Sequence, residues 1–121
     1  MKTTQKQFEI FKSDCEKWIE RFGLYGWRFY YQHEDCINNC LAYCIYPNDI
    51  QDRVFTIGLT VNLKCSYSLA DIKRAAFHEV MEAFLHRFEF LANARFPNSD
   101  DIPEEKHNII RVLENVLWRE E

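Results

Sequence analysis

His78, Glu79 and Glu82 stand in the order H-E-x-x-E within a stretch, Asp71 to Phe96, that contains neither proline nor glycine. Residues four apart on a helix lie one turn apart on the same face, so the His78 imidazole and the Glu82 carboxylate can converge on one cation. Glu79 projects about 100° around the axis from His78, where it could act on a water held there without being a ligand itself. The competing reading is a solvated polar face. The surroundings weigh against it: Phe77, Val80, Met81, Phe84 and Phe88 form a broad apolar stripe, and Ala75, Ala76, Ala83 and Leu85 leave little polar surface beside the motif. A helix buried on most sides must give a carboxylate next to an imidazole a partner. A metal ion is one such partner; Arg74 or Arg111 is another.

The elements that would position this motif are legible from periodicity. Ser68-Leu69-Ala70-Asp71 opens the motif helix, with the serine accepting from an early helical N–H and the aspartate facing the positive helix end. Ahead of it, Phe8, Phe11, Cys15, Trp18, Ile19 and Phe22 recur at three and four, which predicts an amphipathic helix over Gln5 to Phe22 that Gly23 ends in a left-handed turn. Trp27 to His33, Cys40 to Tyr46 and Arg53 to Val61 have strand character, the second and third pairing as an antiparallel hairpin across the turn at Pro47 to Asp52. Phe55, Ile57, Leu59 and Val61 form one greasy face of the third strand, expected to pack on the helices. Gly58, on the other face, suits close approach by another backbone or a bulge. A last helix runs from about Ile102 to Arg119, and Asp101-Ile102-Pro103-Glu104 before it has the shape of a capping box. The expected fold class is therefore α+β: an N-terminal helix, a three-stranded antiparallel sheet, the motif helix and a C-terminal helix, in one domain over residues 1–121.

At 121 residues and 47% hydrophobic content the chain can bury one substantial core. Nineteen acidic and 15 basic side chains, mixed along the chain for a net charge of −4, leave no basic stripe for a phosphate backbone, so nucleic acid is not an expected partner. No apolar run reaches the roughly 20 residues that span a bilayer, and MKTTQKQFEIF lacks the apolar segment of a secretory signal. The expectation is a soluble protein of a cytoplasm, with no membrane partner. Five cysteines are an odd number, which favours reduced thiols. Cys36, Cys40 and Cys44 recur every four residues after His33, but without a C-x-x-C knuckle they read better as small buried hydrophobes than as zinc ligands.

From about Trp18 to Leu117 the chain resembles the minimal zincin scaffold, and in particular small phage-type metallopeptidases related in outline to SprT-like proteins. The segment that carries most of the likeness is RVFTIGLTVN followed by IKRAAFHEVMEAFL. The usual motif there is H-E-x-x-H, and Glu82 stands where the second histidine belongs. Zinc accepts carboxylate oxygen at about the distance of imidazole nitrogen, although an added anion makes it a weaker Lewis acid. The resemblance implies Zn2+ held by His78, Glu82 and a third ligand from the final helix, with His107 favoured over Glu104 and Glu105. It also implies Glu79 as general base, a peptide or protein substrate lying along strand three around Phe55 to Leu59, and work in a host cytoplasm if the protein is phage-encoded. His86 could pair with Glu82 as a competing site, because the eight residues from His78 rise about 12 Å and preclude a shared ion. The alternative expectation, motivated by Glu82 and by 16% aromatic content, is a catalytically inactive scaffold acting as a protein-interaction factor.

Overall fold

The computed structural model describes residues 1–36, 40–49, 52–94 and 100–117. Helix α1 spans Gln5–Phe22, strands β1, β2 and β3 span Arg28–His33, Ala42–Ile45 and Val54–Leu59, and helices α2 and α3 span Leu69–Asn93 and Asp101–Leu117. Both early helix starts are capping boxes: Thr4 with Gln7 on α1, and Ser68 with Asp71 on α2, the side chain of each residue bonded to the backbone N–H of the other. Gly23 closes α1 at φ 67°, a conformation that costs glycine nothing because it has no Cβ. At α3 the expected box is not formed. Asp101 already lies inside the helix, and the Glu104 carboxylate turns to Arg87 instead of the backbone.

The sheet is mixed, not antiparallel throughout. Its order is β1-β3-β2, with β3 antiparallel to β2 as the hairpin reading expects but parallel to β1, in the register Arg28 to Val54 through His33 to Leu59. The strand with the most buried residues, Phe55, Ile57, Gly58 and Leu59, takes the centre. Gly58 is approached by a ring, not by a backbone: a Cβ there would overlap the side chain of Tyr43, its partner on β2. Beyond the sheet, Asp35 accepts from the N–H groups of Val61 and Asn62 and from the Asn62 amide, while Thr3 donates to the Thr60 carbonyl at 2.6 Å. These bonds tie the N-terminus and the β1–β2 connection to the end of β3.

α2 packs on α1, α3, β2 and β3. Phe11, Cys15 and Phe22 of α1, Ile57 and Leu59 of β3, Ile72, Ala76, Val80 and Phe84 of α2 and Val112 of α3 form the core, so the greasy face of β3 does meet the helices. α2 is less enclosed than its composition suggests, since Leu85, Phe88 and Phe90 are exposed on its second half. The cysteines also depart from expectation: Cys36 and Cys40 form a disulfide across the β1–β2 connection, while Cys15 and Cys44 are thiols inside the fold and Cys65 is exposed. Residue spacing alone does not reveal such a pairing, because it depends on the path the connection takes.

Candidate functional site

The i, i+4 spacing on α2 does what helix geometry requires. His78 Nε2 lies 3.2 Å from one Glu82 oxygen, and the other accepts a hydrogen bond from the Tyr46 hydroxyl at 2.9 Å. Tyr46 follows directly on β2, so this bond joins the strand end to the motif helix. The His78 side chain is 68% exposed and that of Glu82 37%, and an ion pair so open to water contributes little to stability.

Glu79 is different in kind. It is 7% exposed, and its Oε2 has no hydrogen-bond partner among the described residues. Burial pushes its carboxyl up to about 7, with His78 opposing the shift and Glu82 adding to it. Leaving a carboxylate oxygen buried and unpaired costs free energy, so the proton is retained to higher pH than in water. The neighbouring Cys44 thiol is likewise raised by burial and by the carboxylates of Glu79 and Glu82.

The three residues taken as metal ligands do not come together. His107 lies on an exposed face of α3 and donates from Nδ1 to the Pro103 carbonyl at 2.9 Å, one turn back in its own helix. The alternatives, Glu104 and Glu105, both engage Arg87, at 3.2 and 3.0 Å, and Asp101 lies 3.5 Å from the same guanidinium. Among the described residues no group of three or more His, Cys, Asp or Glu side chains is gathered closely enough to hold a metal ion. The donor set thus stops at two, His78 and Glu82, short of the three protein ligands of a catalytic zinc site. His86 does not compete for Glu82; its ring stacks on Tyr46 at 4.2 Å and 10°.

Strand three cannot take an extended substrate, because β3 is hydrogen-bonded on both sides. The strand edge beside the motif belongs to β2, which among the described residues is paired on one side only and touches α2. Two residues that organise this region, Tyr46 and Arg87, carry no sequence signal of their own. Each acts through a partner on another element.

Compared with protein-family models, with curated proteins and with solved structures, the chain has no match. Among the described residues no helix is long and apolar enough to cross a membrane.

Proposed function

We propose that this chain is a protein-interaction factor of zincin-like outline that binds an extended segment of a partner by adding it as a strand to the outer edge of β2. One observation carries the reading: among the described residues β2 has an unpaired edge beside the motif helix, to which Tyr46 anchors it through Glu82. Main-chain hydrogen bonds along such an edge supply affinity, and side chains next to it supply selectivity. The test is metal analysis and casein hydrolysis on the untagged full chain. This reading expects zinc well below one equivalent and no cleavage. Near-stoichiometric zinc, together with casein cleavage abolished in Glu79→Gln, would overturn it.

A second reading, a zinc-dependent peptidase, is favoured by the buried, unpartnered Glu79 oxygen. A carboxyl held near 7 is matched to taking and returning a proton at neutral pH, as a general base toward water must. His78 and Glu82 would be the side chains that hold the ion, whose chemistry is to polarise a carbonyl and acidify a bound water. Two protein donors are one short of the three that hold a catalytic zinc.

A further inference from the structure

A groove of about 280 Å³ opens where β2 ends, lined by Tyr46, His86, Glu89, Phe90, Asn93 and Ala94. The Tyr46 ring stacks on His86, and Phe90 is half exposed on the same stretch of α2. Glu89 is exposed, and among the described residues its carboxylate has neither a hydrogen bond nor a salt bridge. Behind the tyrosine, Glu82 accepts the phenolic hydrogen bond, with its other oxygen 3.2 Å from His78. Among the described residues that line it there is no lysine or arginine. Burial pushes the His86 imidazole down, disfavouring its charged form, against the opposing pull of Glu89. The described lining is therefore aromatic and acidic, on a chain whose net charge is −4.

We propose that this groove receives the cationic side chain, lysine or arginine, of a segment lying along β2. Aromatic faces carry a negative quadrupole that attracts ammonium and guanidinium groups, and Glu89 has no salt-bridge partner among the described residues. The excess negative charge steers a basic segment toward the surface. A segment paired to β2 that runs on past Ile45 passes Tyr46, which is where the groove begins. The inference rests on the strand-addition reading and deepens it by naming the class of segment: basic, with one cationic side chain beyond the paired stretch.

The experiment titrates the full chain with four blocked alanine pentapeptides bearing Arg, Lys, Leu or Glu at the centre, and with free arginine amide, following resonances by NMR. The expected result is shifts in the β2 amides and the Tyr46 and Phe90 rings, with the Arg and Lys peptides bound about five- to tenfold more tightly than the Leu peptide. Glu89→Gln, an exposed change that leaves the core untouched, should abolish that preference and retain the β2 shifts. Equal binding of all four peptides along β2, or a preference that survives Glu89→Gln, overturns the groove proposal and leaves strand addition standing. If arginine amide shifts Tyr46 and Phe90 in a Glu89-dependent way while no peptide touches the β2 amides, strand addition fails and the groove stands as a cation site. Silence from every probe overturns both.

Discussion

Tyr46 and Glu82 are joined by a 2.9 Å hydrogen bond between the residue that directly follows β2 and the last residue of the H-E-x-x-E motif. The bond fixes one Glu82 oxygen on the sheet and leaves the other facing His78. A carboxylate accepting from a phenol is a charge-assisted pair, but this one is partly open to water. Tyr46→Phe should therefore cost only about 0.5–1.5 kcal/mol of stability by urea denaturation. Its larger effect should be on β2: faster amide hydrogen exchange at Cys44 and Ile45, with the slowest core amides unchanged.

Glu79 predicts a pH dependence with a definite sign. Its carboxyl titrates at 4.5 when unfolded and at about 7 in the fold. Between those values the folded state binds more protons than the unfolded one, so this residue's contribution to stability falls as pH rises. The effect is absent below about 4.5 and complete above about 7, amounting to about 3 kcal/mol at one pH unit per 1.36 kcal/mol. Glu79→Gln removes the titration. The stability of the variant minus that of the parent, measured by denaturation from pH 4 to 8, should rise across this window; a flat difference would mean that the carboxyl is not desolvated.

How far the residues alone reveal this arrangement depends on whether a feature is local. The end of α1 at Gly23, the Ser68–Asp71 start of α2 and the His78–Glu82 approach all follow from groups within four positions of one another. Strand order does not. Alternation along β3 reports which face is greasy, and it was right about Phe55, Ile57 and Leu59, but it is blind to which strand lies on which edge. The placement of His107 is hidden from residue spacing for a related reason. Asp101, Glu104 and Glu105 of α3 all meet one guanidinium, that of Arg87, while His107 is exposed. Nothing in the spacing of α3 announces an arginine one helix earlier.

Gly58 offers a packing test of the sheet. Because the Tyr43 ring occupies the space a Cβ would need, Gly58→Ala must displace an aromatic side chain or distort the pairing of β2 with β3. Overpacking of this kind costs about 1–3 kcal/mol. In a Tyr43→Ala background the same change should cost much less, so the double-mutant cycle should show strong coupling between the two sites. Additive effects would mean that the ring is not the obstacle.

Arg87 is the strongest electrostatic bet in the molecule. Its side chain is 11% exposed, and Glu105, at 3.0 Å, is 3% exposed, so neither charge is well solvated. Asn108 is the other side chain directed at the same Glu105 oxygen, at 3.5 Å, too distant to replace a guanidinium. Arg87→Met should consequently destabilise by about 3–5 kcal/mol, because it strands a buried carboxylate and releases the first turn of α3 from α2. Replacing both partners by methionine should recover most of that loss, since an apolar pair needs no hydrogen bonds to be buried. Urea denaturation of the two single variants and the double decides the matter. A double variant as unstable as Arg87→Met would show that Arg87 holds α3 chiefly through Asp101 and Glu104, with Glu105 a bystander.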